Sequence, residues 1–120
     1  AASHYRLDNL VALIDRNFLQ IDGNTEEVFR LESVRDRWAS FGWNVEEVDG
    51  HNIKEILQVL QSVEETKNKP SVIILDTVKG KGVSFMENNV DFHGVPPNQK
   101  EYELAMDELN MSQKKLEADP

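Results

Sequence analysis

A chain of 120 residues with 39% hydrophobic content has the size of one modest domain and enough apolar residues for a core. No apolar stretch approaches the ~18 residues that span a membrane, no basic and apolar leader opens the chain, and the lack of cysteine excludes disulfides and thiolate metal sites, which suits a reducing, cytoplasmic setting. A formal net charge of −9 argues against nucleic acid as a partner, so a bound phosphate would need a local device such as a single lysine or a helix N-terminus.

In chain order, Ala1–Arg6 reads as the last turns of a helix, broken by Asp8-Asn9, so the chain is expected to begin inside an element. Leu10–Ile14 is a short apolar strand that stops at the polar corner Asp15-Arg16-Asn17. Ligands of open α/β sheets bind outside the carboxyl ends of the strands. Asn17 stands at such an end, and its amide oxygen is a donor that Mg²⁺ accepts. The same residue also suits a plain strand-ending turn. Asp22-Gly23-Asn24-Thr25 is turn chemistry, with Asn24 or Thr25 able to cap a helix. Val28, Leu31, Val34, Arg35 and Trp38 recur at helical spacing and predict one amphipathic helix to about Ser40, ended by Phe41-Gly42.

Trp43–Val48 alternates like a half-buried or edge strand. Asp49–Asn52 is a loop whose His51 reads as a turn residue, and Asn52 caps a second helix running on Ile53, Ile56, Leu57, Leu60 and Val63 to about Lys67. Pro70 opens a third strand, Ser71–Asp76, whose continuous Val-Ile-Ile-Leu run predicts burial on both faces. The basic loop Thr77-Val78-Lys79-Gly80-Lys81-Gly82 follows, then an irregular stretch over 84–98 with His93-Gly94 and Pro96-Pro97. Pro97-Asn98 introduces a last helix, and Gln113–Pro120 is expected to fray. Strand, helix, strand, helix, strand implies parallel strands with right-handed crossovers. The fold class is therefore α/β, a three-layer doubly wound parallel sheet.

Chemical motifs are sparse. No His pair has zinc-site spacing, and neither Gly-x-Ser-x-Gly nor a P-loop occurs. His4 has no supporting context. Lys79 lies in a glycine-flexed loop just past the third strand, where it is either a phosphate-facing charge or a solvated lysine; Lys81 is the better candidate for solvation. His93 is either a proton-handling imidazole or a loop histidine satisfied by backbone.

Several segments occur here in a telling order: Ala-Ser-His-Tyr-Arg-Leu-Asp-Asn-Leu, Asp-Arg-Asn-Phe-Leu-Gln-Ile-Asp-Gly, Phe-Gly-Trp, Val-Asp-Gly-His, Thr-Val-Lys-Gly-Lys-Gly and His-Gly-Val-Pro-Pro. Together they resemble the thiamine-diphosphate-binding domain of transketolase, above all its separately encoded N-terminal subunit. The resemblance covers about residues 1–110 and implies a partial thiamine-diphosphate-binding fold over 1–112, because the family's Gly-Asp-Gly motif is absent from this sequence. It implies Mg²⁺ binding through the Asn17 side chain and the Leu19 carbonyl. It places Lys79 near the diphosphate and His93 near the diphosphate and the incoming sugar, the two being fourteen residues apart. It also implies two-carbon ketol transfer between sugar phosphates, a homodimer, and a C-terminal subunit that supplies the cofactor-activating Glu. Without Gly-Asp-Gly, this chain is expected to be inactive and free of thiamine diphosphate and Mg on its own. The competing readings are a dimerising or partner-binding module derived from transketolase, and a fragment related to 1-deoxyxylulose-phosphate synthase or a keto-acid dehydrogenase subunit.

Overall fold

The computed structural model describes residues 1–118. Its elements in chain order are strands β1 (Val11–Arg16), β2 (Leu19–Gln20) and β3 (Gly23–Asn24), helices α1 (Thr25–Val28) and α2 (Val34–Ser40), strand β4 (Asn44–Asp49), helix α3 (Ile53–Val63), strand β5 (Ser71–Asp76), a 3₁₀ turn (Val90–His93) and helix α4 (Gln99–Ala118). They divide into two compact units, residues 1–17 with 29–77, and residues 18–28 with the chain from Val78 on.

The first unit is the α/β sheet. Its strands run parallel in the order β1-β5-β4, with β5 central. The chain steps over one position from β1 to β4 and returns to β5. Right-handed crossovers in opposite directions put α2 and α3 on opposite faces. The alternation of β5 serves both faces: Val72 and Ile74 pack with Val45, Trp38 and Trp43, while Ile73 packs with Val59, Val63 and Val48. Val72 and Ile73 are 0% exposed and Ile74 1%, as expected of a strand covered on both sides. Trp38 and Trp43 meet edge to face at 4.7 Å and close the turn between α2 and β4.

At the start, the N–H of Arg6 donates to the Ser3 carbonyl and that of Leu7 to Ala2, with Arg6 at φ 53°. This pair of bonds around a left-handed residue is the pattern with which helices end.

The expected single helix from Thr25 to Ser40 does not form. It is split into α1 and α2, with Phe29–Ser33 outside either helix. Ser33 caps α2 by accepting the Asp36 N–H at 3.1 Å, and Glu32 takes a left-handed φ of 52°. Cap formation at Ser33 outweighed the continuous apolar spacing. Asn52 caps α3 as its sequence predicts, but α3 stops at Val63, short of Lys67.

In the second unit, β2 and β3 form a small antiparallel hairpin about Ile21-Asp22. Asn24 accepts the Glu26 N–H and so caps α1. Asn98 and Glu101 bond reciprocally, side chain to backbone N–H, and start α4. Helix α4 continues through Ala118, well into the 113–120 segment expected to fray; Asp119 and Pro120 lie outside the described residues. Among the described residues no helix is long and apolar enough to cross a membrane.

Candidate functional site

The sheet register decides which loops share an end. Arg16 at the end of β1 is level with Asp76 at the end of β5, and Asp49 of β4 is level with Asp76 on the other side. Asn17, Thr77 and Gly50 therefore leave the same carboxyl edge, where open α/β sheets bind ligands. Three contacts fasten that edge. The Thr77 N–H donates to the Arg16 carbonyl at 3.2 Å, the Gly50 N–H donates to the Asp76 carbonyl at 2.8 Å, and the Thr77 hydroxyl donates to the Asp15 carboxylate. Gly50 has no room for a side chain: a Cβ there would lie 2.4 Å from the Thr77 methyl. His51 follows, its N–H held by the Asp49 carboxylate at 2.8 Å, which is the turn role its sequence context indicates.

Asn17 is half-buried immediately after β1. Phe18, the residue between the two proposed metal donors, takes a left-handed φ of 59°. A bulky residue in that region carries strain of the kind that collects at ligand clamps. The Phe18 carbonyl accepts the Thr25 N–H at 2.8 Å, which anchors the turn in the second unit. Leu19 then enters β2, and β2 packs on the 3₁₀ turn that ends in His93. Gln20 of the same strand has a buried amide nitrogen without a hydrogen-bond partner among the described residues.

The Lys79 loop is built from its own backbone. The Lys81 N–H donates to the Val78 carbonyl, Val83 to Gly80, Met86 and Glu87 to Val83, and Asn88 to Lys79 at 2.9 Å. Gly80, at φ 74°, approaches so closely that a Cβ would lie 2.5 Å from the Met86 carbonyl oxygen. The next residue, Asn89, caps the 3₁₀ turn by accepting the Asp91 N–H at 3.0 Å. The Asn88–Lys79 bond thus brings the start of the turn that ends in His93 back to the Lys79 loop. The imidazole of His93 is exposed.

The two lysines of this loop differ in a way the sequence left open. Lys81 is exposed and pairs with Glu87 at 3.7 Å. Lys79 is half-buried and has no carboxylate partner among the described residues. A lysine with no carboxylate partner among the described residues suits an anionic ligand. Glu87 is the residue that sequence reasoning missed; its bonds to Gly82 and Lys81 emerge only in the folded loop.

Of the residues expected at the metal, Asn17 belongs to the first unit and Leu19 to the second. Either would give Mg²⁺ only a neutral oxygen, and no group of three His, Cys, Asp or Glu side chains that could hold a metal ion gathers among the described residues. A strongly hydrated dication needs further donors.

These features define an α/β domain with parallel strands and a basic, glycine-punctuated loop beyond its central strand, suited to an anionic ligand. The chain belongs to the transketolase family: the thiamine diphosphate binding domain of transketolase matches residues 1–119. It is 49% identical over 117 residues to one subunit of the apulose-4-phosphate transketolase of Phocaeicola vulgatus, covering 98% of this chain and 42% of that protein. It is 42% identical over 104 residues to a 6-deoxy-6-sulfo-D-fructose transketolase subunit of a Clostridium species, covering 87% and 38%. Among solved structures, transketolase from Campylobacter jejuni superposes with a TM-score of 0.83 at 28% identity, over 91% of this chain and 17% of that one. Transketolase from Pichia stipitis in complex with sedoheptulose 7-phosphate gives 0.83 at 32%, over 91% and 16%. The chain therefore spans less than half the length of the curated relatives it matches.

Proposed function

We propose that this chain contributes the diphosphate-facing part of a thiamine diphosphate site in a transketolase, an enzyme that moves a two-carbon ketol unit between sugar phosphates. One observation carries the reading: Lys79 is half-buried with no carboxylate partner among the described residues, in a self-closed loop just past a central parallel strand, while neighbouring Lys81 pairs with Glu87. Thiamine diphosphate, when bound, supplies the nucleophilic carbon and the electron sink for the transfer. Lys79 would hold a diphosphate oxygen, the Asn17 amide oxygen and the Leu19 carbonyl would serve Mg²⁺, and the His93 imidazole would exchange a proton or hydrogen bond with the incoming sugar phosphate.

The carboxylate that Mg²⁺ requires comes, in this reading, from outside residues 1–120, whose portion 1–112 forms part of the cofactor-binding domain. Relatives named as single subunits of larger transketolases support a partner, here a C-terminal transketolase subunit carrying the Glu that activates the cofactor. We propose homodimerisation as well. Leu10, just before β1, and Val11 and Leu13 of the β1 edge are exposed, Leu13 at 55%, and a groove of about 550 Å³ lies between Val11 and Leu60. Apolar strips of this kind mark interaction surfaces. Sedimentation of the chain with and without Leu13→Lys tests this; a monomer in both cases rejects the β1 edge as the contact.

Calorimetric titration with thiamine diphosphate and Mg²⁺ tests the cofactor reading. The expected result is tight binding by the full enzyme that carries this chain, weakened by Lys79→Ala and by Asn17→Ala. The isolated 120 residues are expected to show no measurable binding and no turnover in a coupled ketol-transfer assay. Undiminished affinity in Lys79→Ala would overturn the assignment of the loop.

A further inference from the structure

Glu87 is the acidic residue that closes the Lys79 loop from within. Its Oε1 accepts the Gly82 N–H at 3.0 Å and lies 3.7 Å from the Lys81 ammonium. Its own N–H donates to the Val83 carbonyl at 3.1 Å, and the next residue, Asn88, donates to the Lys79 carbonyl at 2.9 Å. One carboxylate therefore fastens the second glycine of Lys79-Gly80-Lys81-Gly82, at φ 96°, and occupies the second lysine. We propose that Glu87 is a positioning residue for the diphosphate site: it holds the loop in the shape that presents Lys79, and it withdraws Lys81 from the local field. The inference rests on the assignment of Lys79 to the diphosphate.

The proposal makes a prediction of unusual sign. Simple electrostatics says that removing a carboxylate beside an anion site tightens anion binding. If Glu87 shapes the loop, removing it loosens binding, because the Gly82 N–H loses its acceptor and Lys79 its fixed presentation. Glutamine separates the two effects, since its amide oxygen can still accept from Gly82 while the charge is gone.

The test measures the affinity of the full enzyme for thiamine diphosphate with Mg²⁺, for Glu87→Ala, Glu87→Gln and Lys79→Ala. Amide hydrogen exchange at Gly82 is followed in the same variants without ligand. Glu87→Ala should weaken binding about fivefold, the effect of one lost hydrogen bond, and speed Gly82 exchange. Glu87→Gln should restore both to within about twofold of wild type, leaving the charge as the lesser term. Retained protection at Ile73 and Ile74 identifies folded variants. Unchanged or tighter binding in Glu87→Ala overturns the proposal, as does equal weakening in both Glu87 variants. If Lys79→Ala alone leaves affinity intact, the diphosphate assignment fails instead, and Gly82 exchange still decides whether Glu87 holds the loop.

Discussion

Ser84 gives both its backbone N–H and its hydroxyl to the carboxylate of Glu108, each at 2.6 Å. The pair ties the far side of the Lys79 loop to α4 within the second unit. The hydroxyl first, and then the N–H, hold the Glu108 carboxyl below its ordinary value of 4.5, because both donate to the charged form. A carboxyl depressed in the folded state stabilises above its unfolded pKa, and that contribution is lost as pH falls through the folded one. An NMR titration of the Ser84 amide should show an inflection below 4.5, absent in Glu108→Gln. An inflection at or above the ordinary value would show that the pair does not form in solution.

Lys79 and Lys81 should respond differently to truncation. Lys79→Ala removes a charge with no internal counter-ion among the described residues and should weaken thiamine diphosphate binding by the full enzyme about tenfold. Lys81→Ala removes half of an exposed pair and should change affinity less than about twofold. Titration calorimetry on the two variants checks the ranking.

Gly80→Ala should destabilise the second unit. A Cβ would meet the Met86 carbonyl oxygen at 2.5 Å, and φ is 74°. Left-handed strain costs about 1–3 kcal/mol for a non-glycine residue, before the clash is relieved. Thermal melting should report a clear drop, whereas Gly94→Ala, where nothing lies within 4 Å, should be nearly neutral.

Core and edge of the sheet should also separate. Ile73→Ala empties a fully buried position on β5 and should cost about 2–5 kcal/mol in urea unfolding. Leu13→Ala, at an edge position 55% exposed, should stay within about 0.5 kcal/mol.

Much of this was legible in the residues. The continuous run Val72–Leu75 announced a strand buried on both faces, because a parallel strand under two helical layers has no polar side. Asn52 marked a helix start through cap chemistry local to three residues, and the pair Pro97-Asn98 marked another. The break at Phe29–Ser33 was not legible: Val28, Leu31 and Val34 keep helical spacing across it, and periodicity does not register a cap at Ser33. The β2–β3 hairpin was equally hidden, since two-residue strands carry no alternation to detect.

The order of residues was thus enough for the α/β alternation, the apolar centre of the sheet and the family-like motifs at Asn17, Lys79 and His93. The first two are written in neighbouring residues through period, capping and turn chemistry, and the motifs through their resemblance to the family. Folding in three dimensions was needed to put β5 between β1 and β4 and to bring Asn17, Gly50 and Thr77 to one edge. It was also needed to neutralise Lys81, and not Lys79, with Glu87. Those facts depend on which backbone donors and charges meet after the chain closes on itself, and local pattern carries no record of such meetings.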